Sequence, residues 1–291
     1  MNYNTESKIW RVGGPLFVYL GIRYGVQLIY NLWIFYTEFN QWNIDAALNG
    51  LVYAENVVNT GKSYALEMCG VAAVLTIPVL LYLMKKDYEY PINPRRKEDT
   101  FVWKKYVSRV EIKWMPALIV TGICAAIGLS RLILMLPIDG ILGDYSATLE
   151  AYGMSSFWIQ LVVLGVVTPI VEELLFRGLV YKRLKIYYEA SIAAYISAII
   201  FAVAHFNLIQ GIYAFIMGII FAFIHEKYKT VLAPIVVHMA ANVMSVLSGI
   251  NPISQFIDKY WIIRLLIGLL FTSILVMSVM YHYKSRDKDE N

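Results

Sequence analysis

Acidic and basic side chains interrupt an apolar stretch in the second half of this 291-residue chain, in the pattern Glu172-Glu173-x-x-x-Arg177. Because residues four apart share one face of a helix, Glu173 can pair with Arg177. Adjacent helical residues point about 100° apart, so Glu172 is left on another face, outside that ion pair. A carboxylate in this position is a candidate general base. The structural alternative is a helix end whose charged groups reach the membrane surface.

Two further polar groups follow along the chain. Phe201-x-x-x-His205 places a histidine at the end of an apolar segment. His238-x-x-x-Asn242 places two hydrogen-bond donors on one helical face, as an oxyanion hole requires. Taken singly, a buried packing histidine and polar contacts between helices explain these residues as well. Together the three clusters supply a carboxylate, two histidines and an amide on nearby apolar helices.

The elements that carry these clusters are membrane spans. Apolar residues make up 59% of the chain and charged residues 16%, and the mean hydropathy is +0.57. Ordinary globular domains are about 45–50% apolar and about 25% charged. Ionisable residues within spans are rare and usually functional, so the three clusters are candidates for a functional site. We predict an all-α transmembrane helix bundle of eight spans: 13–36, 64–84, 114–136, 156–180, 190–205, 209–225, 231–248 and 261–281.

The spans group into three regions. We expect N-terminal spans with a basic loop at 85–113 over residues 1–150, a catalytic core over 151–250, and a last span with its tail over 251–291. The fifth, sixth and seventh spans are short, and one of them need not cross fully. Straight spans would also leave His205 a turn or two deeper than Glu172 and His238.

Basic residues between the spans predict the orientation. Lysine and arginine concentrate near the N-terminus, in 85–113, in 182–185, in 227–229 and in the C-terminal tail, whereas 137–155 carries none. Because cytoplasmic loops are enriched in these residues, we predict that both termini are cytoplasmic. The loop 85–113 also allows an interfacial helix near 100–110. The basic residues give no sign of nucleic-acid binding.

The three motifs, taken in order, resemble those of the CAAX-protease and bacteriocin-processing family, also called Abi, of intramembrane glutamic endopeptidases. The stretch between the last two motifs, Gly218 to Pro234, has the same character. The resemblance covers residues 156–247, and the first 150 residues are recognisable only as membrane spans.

The resemblance implies a peptidase that works in a bacterial plasma membrane without a cofactor. Its expected partners are the lipid bilayer and a membrane-associated peptide or protein, lipidated or not. By this comparison Glu172 activates a water that His205 holds and polarises, while His238 and Asn242 stabilise the oxyanion. Glu173 and Arg177 brace the site or help to seat the substrate.

Three other functions fit parts of the pattern. Glutamate and histidines can bind zinc, but His225-Glu226 lacks the second histidine of the H-E-x-x-H motif. A non-catalytic scaffold or a bacteriocin self-immunity protein of the same family would also keep the spans. A proton-coupled transporter would use carboxylates and histidines within spans, but no paired, interrupted halves are visible.

Overall fold

The computed structural model describes residues 8–40, 50–89, 110–136 and 150–289. Over these ranges the chain forms helices and turns and no strand, which confirms the all-α prediction. Most of the basic loop 85–113 and of the acidic segment 137–155 lies outside them, as does the helix predicted near 100–110. The helices in chain order are α1 (Lys8–Asn40), α2 (Gly50–Ser63), α3 (Ala65–Glu89), α4 (Met115–Ile133), α5 (Phe157–Leu184), α6 (Ala190–Val203), α7 (Leu208–Tyr228), α8 (Leu232–Ile250), α9 (Pro252–Lys259) and α10 (Trp261–Asp289).

Seven of these helices are long and apolar enough to cross a bilayer: α1, α3, α4, α5, α7, α8 and α10. Their outer faces carry large apolar side chains, such as Leu28 at 61% and Leu266 at 60% exposure. Such faces are stable only against lipid, since water would not tolerate apolar surface of that extent. The chain is a multi-pass integral membrane protein.

The fifth predicted span differs from the others. Helix α6 has 14 residues and reaches about 21 Å at 1.5 Å per residue, short of the roughly 30 Å hydrocarbon layer. It packs along α7 as a hairpin. An ion pair of 2.7 Å between Lys185, which precedes α6, and Glu226, near the end of α7, closes the open end of that hairpin. Over the described ranges, seven helices are therefore long enough to span and α6 is a short partner, where the sequence predicted eight spans.

One end of the bundle collects the predicted cytoplasmic segments. Arg183, just before the end of α5, donates to Asp87 of α3 at 2.7 and 2.9 Å and to the carbonyl of Arg11 in α1. Tyr228 and His282 lie 2.8 Å apart and join the ends of α7 and α10. The start of α1 and the far part of α10 therefore lie at the same end of the bundle. That this end faces the cytoplasm stays a prediction.

Helix α4 packs closely against α8 through a glycine. A Cβ atom added at Gly122 would lie 2.8 Å from the Cβ of Ala240 and closer still to the carbonyl oxygen of Val237. Small residues at such crossings let membrane helices approach within backbone contact. This contact holds α8, which carries His238 and Asn242, at its depth in the bundle.

We expect Gly122→Ala to destabilise the protein by about 2 kcal/mol, because overpacking a tight contact moves backbone apart. Gly21→Ala is the matched control, since a Cβ there meets nothing within 4 Å. Thermal unfolding in detergent measures both variants. A Gly122→Ala protein as stable as the Gly21→Ala protein would contradict the close packing.

Candidate active site

Helix α5 is irregular where it forms the site. The N–H of Thr168 donates to the carbonyl of Val163 in a π-type turn, and Pro169 has no N–H to give. The carbonyl of Leu164 is thereby deprived of a partner within the helix. The side-chain nitrogen of Asn242 donates to it at 2.8 Å. The π-type turn before Pro169 therefore creates a docking point for α8.

Glu173 and Arg177 form the ion pair that their spacing predicted. Arg177 Nη1 donates to Glu173 Oε1 at 3.0 Å, and both side chains are 0% exposed. A buried charge of this kind is stable only when it is paired and hydrogen-bonded. The arrangement leaves Glu172, at 14% exposure, outside the pair, as the sequence predicted.

Arg177 also binds two other helices. Its Nη2 donates to the carbonyl of Gly218 in α7 at 3.0 Å. The rings of Phe201 and Phe221 lie 4.7 and 5.0 Å from the guanidinium carbon, within cation–π range. A Cβ at Gly218 would come within 3.3 Å of Arg177, so the glycine leaves the room that the guanidinium occupies.

The ring of His238 bridges the two adjacent glutamates. Its Nδ1 lies 3.0 Å from Glu173 Oε1 and its Nε2 lies 3.6 Å from Glu172 Oε2. Because the Glu173 carboxylate that binds Arg177 is an acceptor only, Nδ1 carries a proton and donates it. The ring also stacks on Phe221 at 4.6 Å. Sequence reasoning missed the contact between Glu173 and His238, which no short-range spacing signals.

His205 lies beyond the end of α6 rather than inside a span, which corrects the sequence interpretation. Helix α6 ends at Val203, and the turn closes through Phe206, whose φ of 53° is left-handed. His205 Nδ1 lies 2.8 Å from the carbonyl of Phe201 and donates to it, because a carbonyl can only accept. In the neutral ring, Nε2 is therefore an acceptor.

One cavity of about 310 Å³ brings Glu172, His205, His238 and Asn242 together. The difference in depth expected for His205 does not keep it from the other groups, since all of them line the same space. Glu173 and Arg177 lie behind this wall and not in it. Among the described residues, no three His, Cys, Asp or Glu side chains form a group that could hold a metal ion.

The first half of the chain also contributes to the cavity. Tyr19, Arg23 and Cys69 line it from α1 and α3, and Tyr152 lines it from the segment before α5. Burial raises the pKa of Tyr152 to about 12, so this phenol stays protonated at neutral pH. Arg23 is a charge within the predicted span 13–36, and no sequence motif assigns it a role.

Carboxylates and histidines that meet at a cavity in a helical membrane protein form a candidate functional site. Residues 154–244 match the family model described as Rce1-like, type II CAAX prenyl endopeptidase. A Bacillus subtilis (strain 168) protein named "Putative membrane peptidase YdiL" is 29% identical over 114 residues, which cover 39% of this chain and 47% of that protein. The alignment thus spans about half the length of that relative. No solved structure matches the chain.

These comparisons confirm the family resemblance that the motifs predicted. Over residues 154–244 the chain is similar to the CAAX-protease and bacteriocin-processing family, and the similarity is to membrane peptidases. The matched segment begins just before α5 and ends within α8, so it contains Glu172, His205, His238 and Asn242. Helices α1 and α3, which supply Arg23 and Cys69, lie outside it.

We expect Arg177→Met to destabilise the protein by about 3–5 kcal/mol, because it leaves Glu173 charged, buried and without its arginine. Lys229→Met is the matched control. Lys229 pairs with Glu226 at the bundle end but is 51% exposed, and exposed pairs contribute about 0–1 kcal/mol. Thermal unfolding and yield in membranes measure both variants. Equal losses in the two would refute the anchoring role of the buried pair.

Proposed function

We propose that this chain is an intramembrane endopeptidase in which Glu172 activates a water that hydrolyses a peptide bond. The observation that carries the proposal is the 3.6 Å approach of Glu172 Oε2 to His238 Nε2 at a cavity that His205 and Asn242 also line. The substrate is a membrane-associated peptide or protein. Neither a metal nor an organic cofactor takes part in the proposed mechanism.

Two acceptors orient the water. The carboxylate of Glu172 accepts one of its hydrogens, and neutral His205, whose Nδ1 is bound to the carbonyl of Phe201, accepts the other through Nε2. The oxygen lone pairs then point towards the substrate carbonyl carbon. As the C–O bond forms, Glu172 takes the proton, and it later passes that proton to the leaving amine as the C–N bond breaks.

His238 and Asn242 stabilise the oxyanion. His238 Nδ1 is bound to Glu173, so its Nε2 donates to the oxyanion only when the ring is an imidazolium. The carboxylates of Glu172 and Glu173 together balance the charges of that imidazolium and of Arg177. Asn242 has two N–H groups, and Leu164 uses one of them, which leaves one for the substrate. Donors fixed in advance in this way stabilise the transition state more than the ground state.

Glu172→Gln should abolish cleavage while thermal stability and membrane insertion stay unchanged, because the amide cannot take the proton from water. The purified protein would be given lipidated and unlipidated peptides, with and without a strong zinc chelator. Glu189→Gln is the matched control, since Glu189 is exposed and forms no cap hydrogen bond with its side chain. We expect wild type and the Glu189→Gln protein to cleave in both conditions.

Two results would contradict this mechanism. Cleavage by the Glu172→Gln protein would remove the general-base role, and loss of wild-type activity on chelation would point to a metal site. If wild type cleaves no peptide of a panel that a related peptidase cleaves, the scaffold or self-immunity alternative is favoured.

Asn242→Ala should lower kcat by about 100-fold and change KM little, as expected of an oxyanion donor. Ser245→Ala is the control on the same face of α8. Ser245 also lines the cavity, but its hydroxyl donates to the carbonyl of Ala241 at 3.0 Å. Steady-state kinetics on both variants decide the matter. If Asn242→Ala only raises KM or unfolds the protein, Asn242 acts only through its hydrogen bond to Leu164 and not as an oxyanion donor.

A further inference from the structure

Arg23 is a half-buried cation on the wall of the proposed active site. It belongs to α1, outside the segment that matches the peptidase family, yet it lines the same cavity as Glu172. Arginine within a membrane helix is costly and is usually functional. The mechanism proposed above does not use it.

The surroundings of Arg23 do not neutralise it. It hydrogen-bonds with Tyr19, and the groups that act on it electrostatically are Tyr19, Cys69 and Tyr152, which are neutral in their ordinary states. Within the described residues no carboxylate forms an ion pair with Arg23, whereas Arg131, Arg177 and Arg183 pair with Asp258, Glu173 and Asp87. Among the described residues Arg23 has no carboxylate in ion-pair contact, and a cation of this kind on a low-dielectric wall is suited to an anionic ligand.

We propose that Arg23, with the hydroxyl groups of Tyr19 and Tyr152, forms a subsite that binds a carboxylate of the peptide substrate. The inference rests on the proposed function and names a feature of its substrate. A guanidinium flanked by hydroxyl donors matches the planar oxygens of a carboxylate. The subsite selects peptides and does not take part in the hydrolytic step.

The position of the subsite determines which carboxylate it can take. Tyr19 lines the same cavity as Glu172 and Arg23 and interacts electrostatically with both, so the hydrolytic group and the cation share one space. The cavity of about 310 Å³ is at the lower end of ligand pockets, which span roughly 300–1,000 Å³, and admits only a short stretch of peptide. The bound carboxylate therefore lies a few residues from the scissile bond, either as the C-terminal α-carboxylate or as an acidic side chain.

Paired peptide libraries test the proposal. Random decapeptides with a free C-terminal acid and the same peptides as C-terminal amides are incubated with the full-length protein in detergent, and mass spectrometry reads the products. We expect peptides that bear a carboxylate a few residues beyond the cut to be favoured by about 10- to 100-fold in kcat/KM, mainly through KM, which is the range for hydrogen bonds to a charged group. If the C-terminal amides are cleaved only when Asp or Glu stands at that position, the bound group is a side-chain carboxylate. If the free acids are preferred without Asp or Glu at that position, the bound group is the C-terminal carboxylate.

Variants separate the charge from the fold. Arg23→Gln should lose the preference, Arg23→Lys should keep part of it, and Arg264→Gln, which removes an arginine of α10 that does not line the cavity, should keep all of it. Equal use of acidic and neutral peptides by wild type would overturn the subsite. So would a dependence on Arg23 that appears only with vesicles of anionic phospholipid, because the anion would then be a lipid phosphate.

A binding measurement keeps this test independent of catalysis. The Glu172→Gln protein is titrated with the acid and amide libraries, and we expect the acids to be retained about 10- to 100-fold more tightly. The double variant Arg23→Gln/Glu172→Gln should retain both equally. If the acids bind more tightly but wild type cleaves no peptide, the subsite is supported and the peptidase proposal is rejected. If wild type cleaves peptides but shows no preference for acids, the peptidase proposal is supported and the subsite is rejected.

Discussion

A carboxylate that is completely removed from solvent costs several kcal/mol unless cations and hydrogen-bond donors surround it, and Glu173 is in that position at 0% exposure. Its Oε1 accepts from Arg177 of the same helix and from His238 of α8, each at 3.0 Å. Arg177 in turn reaches the carbonyl of Gly218 in α7 and the ring of Phe201 in α6. One buried charge thus joins the four helices α5 to α8. The orientation of the His238 ring, and with it the distance to Glu172, depends on this network.

The backbone of α5 imposes a second constraint of the same kind. An unpaired carbonyl within a membrane bundle is nearly as costly as an unpaired side chain, because no water is at hand to satisfy it. Pro169 and the π-type turn leave Leu164 in need of a donor, and Asn242 supplies it. One residue therefore serves both the packing of α8 on α5 and the proposed oxyanion site. In this bundle the side chains that hold the helices together overlap with those of the proposed catalysis.

The two halves of the chain contribute different groups to the cavity. The segment that matches the peptidase family carries the groups that the proposed hydrolysis requires, while α1 and α3 add Arg23, Tyr19 and Cys69 to the lining. The hydrolytic groups depend on a dense hydrogen-bonded network that tolerates little change. On the proposed function, α1 and α3 contribute to substrate selection and not to the hydrolytic step.

The sequence by itself determined what lies within one helix. Apolar length gave the membrane class and the helical fold, and four-residue spacing gave the Glu173–Arg177 pair and the separation of Glu172 from it. Only the tertiary structure decided that His238 lies between the two glutamates, that His205 follows the end of a short α6, and that Arg23 reaches the same cavity. The physical reason is that helical periodicity determines which residues share a face of one helix. The depth, rotation and tilt of one helix against another depend instead on packing and on hydrogen bonds between buried polar groups.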